Sequence, residues 1–238
     1  MNSLVKRMKL FALVGGGLMM VLAGCKLDDN DSPELPPVAY VSLYNASPNS
    51  PGLSIMVDRK VINNNSFDYS DHTGYLRFLT GERMLEFGPY GANNVVADTT
   101  VKFEDGKAYS VFVVDNYDKA DVLVLSDDTS EPASGKAKVR FLNLSPDAPD
   151  VDLAIAGTDS ASDSAVFTSQ SFKEKSEFIE VEAKNYDFKV KMASGSDVLL
   201  TVPNATFQDG WSYTILVRGF RTPPGGSNSV LSAEVIVD

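Results

Sequence analysis

The chain has 238 residues, 43% of them hydrophobic, with 21 Lys and Arg against 32 Asp and Glu for a formal charge of −11. That content supports a globular protein of one or two domains and excludes a disordered one, and the acidic balance argues against nucleic acid or anionic lipid as a partner. A single cysteine and a single histidine exclude an internal disulfide and leave too few ligands for an ordinary zinc site.

At the start, Lys6, Arg7 and Lys9 precede an apolar run from Leu10 to Ala23, the layout of an export signal and too short to span a bilayer comfortably. The run ends in Leu22-Ala23-Gly24-Cys25, which resembles the lipobox of bacterial lipoproteins. The resemblance implies a signal peptide over residues 1–24 and lipidation of Cys25, through a diacylglycerol and an amide-linked chain such as palmitate. Several acyl chains hold a protein on a membrane where one would not, so an outer-membrane lipoprotein is expected. Removing the signal removes three cations and no acid, taking the charge from −11 to −14.

Residues 25–37, from Cys25 through Asp28, Asp29, Asp31 and Glu34 to Pro36-Pro37, carry too little apolar content to fold and read as a tether. Extended at about 3.1 Å per residue, it reaches about 35 to 40 Å. Its Lys26-Leu27-Asp28-Asp29 start resembles the acidic stretch after the cysteine of surface-exposed lipoproteins, so surface exposure is favoured over a periplasm-facing position.

The rest of the chain repeats itself. Asn45-Ala46-Ser47-Pro48 aligns with Asn143-Leu144-Ser145-Pro146, and Phe103-Glu104-Asp105-Gly106 with Phe207-Gln208-Asp209-Gly210. Between these landmarks the apolar alternation corresponds: Val41 and Leu43 with Val139 and Phe141; Leu53, Ile55 and Val57 with Val151, Leu153 and Ile155. It continues with Leu76 and Phe78 against Ile179 and Val181, Leu85 and Phe87 against Phe188 and Val190, and Tyr109, Val111 and Val113 against Tyr213, Ile215 and Val217. Each copy closes on a further strand, Val122 to Leu125 and Val230 to Val237. Period two means strands, and seven or eight per copy predict two tandem immunoglobulin-like β-sandwich domains, over 38–128 and 137–238. A barrel is the alternative. Between them, 129–136 is polar with Pro132 and Gly135, the composition of a linker that either hinges or is immobilised by a shared interface.

Two recurrent elements are candidate structural sites. Asp105 and Tyr109, like Asp209 and Tyr213, place an acid four residues before a tyrosine at the start of a strand, which resembles the tyrosine corner of immunoglobulin-like domains. Ser47-Pro48 and Ser145-Pro146 read as rigid turns, because proline fixes φ and serine can bond a nearby backbone amide.

The stretch Val139-Arg140-Phe141-Leu142-Asn143-Leu144-Ser145-Pro146-Asp147-Ala148-Pro149-Asp150-Val151-Asp152-Leu153 resembles the opening of the family catalogued as domain of unknown function 4397, and Gly210 with Tyr213 fits it too. The first copy departs from the pattern, with Asn49-Ser50 where Asp and Ala would stand. The resemblance implies a secreted or lipid-anchored sandwich, often in tandem, and no reaction or ligand.

No catalytic set emerges. His72, in Tyr69-Ser70-Asp71-His72-Thr73-Gly74, has no counterpart in the second copy and reads as an exposed loop residue. Gly225-Gly226 follows Pro223-Pro224 without a Gly-Lys-Ser/Thr continuation, so it is no phosphate cradle. Asp147, Asp150 and Asp152, and separately Asp115, Asp118 and Asp121, leave weak calcium binding open without matching the EF-hand spacing. Tyr40, Tyr44, Tyr69, Tyr75, Tyr90 and Tyr117 supply amphipathic area either for a sugar- or protein-binding patch or for cross-strand packing. The expectation is a non-enzymatic, cofactor-free interaction module for a protein or glycan at the cell envelope. A carbohydrate-processing accessory protein, with exposed aromatics and two acids in one groove, and a purely structural component are the alternatives.

Overall fold

The structure is a computed structural model that describes residues 35–158, 162–195 and 197–238; the signal segment, Cys25 and most of the expected tether lie outside the described residues. Eight strands form the first repeat: β1 (Val38–Asn45), β2 (Leu53–Val57), β3 (Lys60–Val61), β4 (His72–Leu79), β5 (Gly81–Pro89), β6 (Ala97–Phe103), β7 (Ala108–Val114) and β8 (Asp121–Asp127). The second repeats them as β9 (Lys136–Asn143), β10 (Val151–Ile155), β11 (Ser164–Gln170), β12 (Ile179–Glu182), β13 (Asn185–Met192), β14 (Val198–Thr206), β15 (Ser212–Arg218) and β16 (Ser232–Val237). One 3-10 turn, Tyr117–Lys119, precedes β8.

Each repeat is an open sandwich. The sheets β4-β1-β7-β8 and β3-β2-β5-β6 of the first have the same strand order as β12-β9-β15-β16 and β11-β10-β13-β14 of the second. Within this immunoglobulin-like architecture the first strand lies inside its sheet, antiparallel to the fourth and parallel to the seventh. The register matches residue for residue: Val41 faces Leu76 and Tyr109 as Val139 faces Ile179 and Tyr213. Likewise Ile55 faces Phe87 as Leu153 faces Val190.

Alternate side chains fill the space between the sheets. Val41, Leu43, Leu53, Ile55, Leu85, Phe87, Phe103 and Val111 make the first core; Val139, Phe141, Leu153, Phe188, Val190, Phe207 and Ile215 make the second. A third core joins the two repeats. Tyr44, Ala46, Phe112, Val114 and Leu125, from the outer face of the first repeat's β4-β1-β7-β8 sheet, are buried with Leu142, Leu144, Leu216 and Ile236 of the second repeat. The central strands of both sheets are therefore covered on both faces, and residues 36–238 form one compact unit.

The stretch 128–135 does not hang free between β8 and β9. Lys138, itself buried, donates to Asp128 Oδ2 at 2.5 Å and to the Ser130 carbonyl at 2.8 Å, while the Ala133 and Gly135 amides donate to Glu180 and Asp209. Side chains of the second repeat thus hold the connection down. Of the two options the sequence left open, the shared interface is the one present.

Candidate functional site

The junction between the repeats carries the densest polar chemistry. Arg140 lies on β9, in a position whose repeat equivalent is Ser42, and projects outward between buried strands. Its Nη1 donates to Asp127 Oδ1 at 2.7 Å, its Nη2 to Ser110 Oγ at 2.8 Å, and its Nε to Thr214 Oγ1 at 2.7 Å. Ser110 passes a hydrogen bond to Asp127 at 2.8 Å, and Thr214 passes one to Asp238 at 2.8 Å. Ser110 with Asp127 and Thr214 with Asp238 occupy equivalent places in the two copies, since Tyr109 faces Ser126 as Tyr213 faces Val237. One guanidinium therefore sits between two repeat-related carboxylates, with the Phe178 ring 4.7 Å from its carbon.

A groove of about 220 Å³ opens beside this cluster, lined by Tyr75, Asp127, Phe178, Trp211 and Asp238 together with the pinned segment from Asp128 to Glu131. Trp211, the only tryptophan, is 50% exposed at its edge. The Tyr75 hydroxyl donates to Asp127 Oδ2 at 2.8 Å, and burial first, then the Asp127 charge, pushes its ionisation far above the phenol range. Burial raises the Asp238 carboxyl to about 6 against the opposing pull of Arg140 and Thr214. The Lys138 hydrogen bond, followed by those from Ser130, holds Asp128 down at about 2. The wall is thus a neutral phenol and an exposed indole beside carboxylates. Flat aromatic faces beside hydrogen-bonding groups are what small polar ligands use. The volume lies below the usual 300–1,000 Å³ range of ligand pockets, which suits one ring or one side chain.

The turn and corner residues singled out in the sequence lie elsewhere and hold loops. Tyr109 Oη accepts from the Glu104 amide at 3.3 Å and Tyr213 Oη from the Gln208 amide at 3.0 Å. Asp105 and Asp209 accept from the Val38 and Gly135 amides at 3.0 and 2.7 Å, anchoring the chain just ahead of or at the first strand of each repeat. At the Ser-Pro turns the side chains that bind most are the buried asparagines. Asn45 Oδ1 accepts from the Ser47 amide at 3.1 Å and its Nδ2 donates to the Phe67 carbonyl at 2.9 Å. Asn143 repeats this with the Ser145 amide at 3.2 Å and the Gln170 carbonyl at 3.1 Å. Ser145 Oγ donates to the Gly219 carbonyl at 2.6 Å, whereas Ser47 Oγ is buried without a partner. The Pro48 carbonyl accepts from the Tyr117 amide at 3.2 Å, and the fixed φ of proline stiffens both turns.

His72 opens strand β4 rather than lying in a loop, because it pairs with Tyr44 of β1, and its Nε2 is 2.7 Å from Ser42 Oγ. Asp147 accepts from the Arg221 and Thr222 amides at 2.6 and 2.8 Å, and Asp152 from the Ser169 amide at 2.8 Å. Asp115 and Asp121 share Lys173 at 3.6 and 2.9 Å. Among the described residues no group of three or more His, Cys, Asp or Glu side chains is arranged to hold a metal ion. Of the six tyrosines, Tyr75 lines the groove, Tyr44 is buried in the junction, and Tyr69 lies 5.0 Å from the Arg218 guanidinium.

Sequence reasoning missed Arg140, Phe178 and Trp211. Two of them left a signal: Arg140 interrupts an apolar strand, and Trp211 stands where the first copy has Lys107.

A family model described as "Domain of unknown function (DUF4397)" matches residues 39–154, the whole first repeat and the opening of the second. No curated protein matches the chain. Among solved structures, an alpha-glucan-binding streptococcal virulence factor is similar at 16% identity and a TM-score of 0.24, over 75% of this chain and 92% of that one. The CBM26 module of Eubacterium rectale Amy13K in complex with maltoheptaose gives 10% and 0.26, over 82% and 96%. A putative cell adhesion protein of Bacteroides eggerthii gives 10% and 0.24, over 87% and 97%. At such scores none of the three carries an argument about what this chain binds.

Proposed function

We propose that this chain, whose residues 39–154 match the DUF4397 family model, is a non-enzymatic, lipid-anchored envelope protein whose junction groove binds a single sugar ring of a glycan. The observation that carries the reading is the groove itself, where Trp211, Tyr75 and Phe178 meet Asp127, Asp128 and Asp238 between rigidly joined repeats. A site made by two repeats is held to the precision of their shared core, which is what recognition of a small ring requires. The anchor at Cys25 and a surface-exposed outer-membrane position rest on the export signal and the Leu22-Ala23-Gly24-Cys25 motif.

A glycan array followed by calorimetric titration tests this. Because Trp211 is the only tryptophan, intrinsic fluorescence reports on the groove alone. A saturable change on glycan addition, with heat of binding lost in Trp211→Ala, supports the reading. Array hits that survive Trp211→Ala would move the site elsewhere, and a captured envelope protein with no glycan signal would favour an assembly module. Acyl labelling that persists in Cys25→Ser would remove the anchor.

The carbohydrate-processing alternative has one observation in its favour, the presence of Asp127 and Asp238 in the same groove. Against it, both are engaged by Arg140 and by the hydroxyls of Ser110, Tyr75 and Thr214, which suits structural carboxylates better than a proton-donating pair.

A further inference from the structure

The flank of the first repeat differs from its counterpart in a way that points to a second site. In the second repeat, Tyr186 reaches from β13 across the open side of the sandwich, donates to the Glu182 carbonyl at 3.2 Å, and buries its ring beside Phe188 and Phe207. By register, Arg83 is the equivalent of Tyr186 and Leu79 that of Glu182. Arg83 Nε makes the same cross-sheet bond to the Leu79 carbonyl at 3.1 Å, but it has no ring to fill the gap. A groove of about 480 Å³ remains, floored by Val57, Ile62, Leu76, Phe78 and Leu79 and edged by Lys60, Arg77, Arg83 and Asp58.

Its charge is also inverted between the copies. Arg77 and Leu79 stand where the second repeat has Glu180 and Glu182. Arg83 is neutralised by Asp58 at 3.1 Å. Lys60 and Arg77 take part in none of the ion pairs among the described residues, although acids outnumber bases by 32 to 21 in this chain. Ile62 and Leu79 are 42% and 52% exposed beside them. The volume falls within the ordinary range for small-ligand sites.

We propose that this flank groove binds a small amphipathic carboxylate, its apolar body against Val57, Leu76 and Phe78 and its anionic head between Lys60 and Arg77. The cations select the head, and the missing aromatic ring makes room for the body.

The test uses the full chain, purified from membranes in a nonionic detergent, with 4-phenylbutyrate as the probe in calorimetric titration. Arg77→Glu, which installs the second repeat's residue on an exposed strand position, and Lys60→Glu are run in the same detergent, so that partition into micelles cancels. The expected result is saturable uptake of one equivalent by the unmodified chain, weakened about five- to tenfold in either variant. 4-Phenylbutanol, which keeps the body and lacks the charge, should bind more weakly by a similar factor, and inorganic phosphate should not compete. Unsaturable heats, equal affinity in the unmodified chain and both variants, equal affinity for the alcohol, or full competition by phosphate would each overturn the proposal.

Discussion

Arg140 and Asp127 meet at 2.7 Å across the junction of the two repeats, with side chains only 2% and 3% exposed. A charge pair that deep contributes little net stability by itself, but removing one partner strands the other without solvent. Arg140→Met should therefore cost about 3–5 kcal/mol, more than its lost hydrogen bonds alone, because Asp127 and Asp238 would both remain. Urea unfolding of Arg140→Met, Asp127→Asn and the double variant measures this. The double variant should recover part of the loss, and strict additivity would mean that the pair is not coupled.

The third core makes a prediction about cooperativity. Leu216 and Phe112 are fully buried in it, so Leu216→Ala should cost about 2–5 kcal/mol. More telling is Leu216→Asp, which places an unpaired charge against the first repeat while leaving the first core untouched. Scanning calorimetry should show one transition for the unmodified protein and two for this variant; two transitions in both would mean that the repeats fold independently.

Stability should also carry a pH signature from Asp238. Its carboxyl is raised to about 6 by burial, with the Asp127 charge adding and Arg140 opposing, against about 3.9 in an unfolded chain. The folded state then holds the proton more tightly, so this contribution is fully present below about pH 4 and is lost as pH rises through about 6. Burial lowers the His72 imidazole, whose contribution has the opposite sign, present above about 6.5 and lost on acidification. Asp238→Asn isolates the carboxyl: the stability of the variant relative to the unmodified protein should rise by about 1–3 kcal/mol between pH 5 and pH 8. A pH-independent difference in urea midpoints would contradict this.

These predictions rest on contacts that were unevenly legible in the sequence. The correspondence of Val41 with Val139 and of Leu76 with Ile179 followed from alternation, because one face of a sandwich strand must be apolar, whereas the pairing of Val41 with Leu76 and of Val139 with Ile179 came only with the fold. The same counting hid the junction. Val111-Phe112-Val113-Val114 and Ile215-Leu216-Val217 are unbroken apolar runs, the mark of strands covered on both faces, yet reading every second residue discards Phe112 and Leu216. At the turns, serine and proline carry the recognisable turn signal, while Asn45 and Asn143 supply more of the bonds. Asparagine offers a donor and an acceptor at once and can bridge an amide and a distant carbonyl, a role that composition alone does not distinguish from that of an ordinary turn residue. The junction groove was illegible for another reason: Tyr75, Asp127, Phe178, Trp211 and Asp238 come from five separate segments, and only the packing of the repeats collects them.

The two Ser-Pro turns offer an internal control, since one backbone design carries two different hydroxyl environments. Ser145 Oγ donates to the Gly219 carbonyl at 2.6 Å in a fully buried setting, so Ser145→Ala leaves that carbonyl with one fewer donor and should cost about 1–2 kcal/mol. Ser47 Oγ is equally buried and lacks a partner. Its removal relieves an unsatisfied polar group, so Ser47→Ala should be neutral or stabilising by up to about 1 kcal/mol. Both substitutions keep the backbone amides that Asn45 and Asn143 hold, so differences in local geometry are minimised. Parallel urea titrations of the two variants should therefore shift in unequal directions. Equal losses would show that the serines act through turn conformation rather than through their hydroxyls.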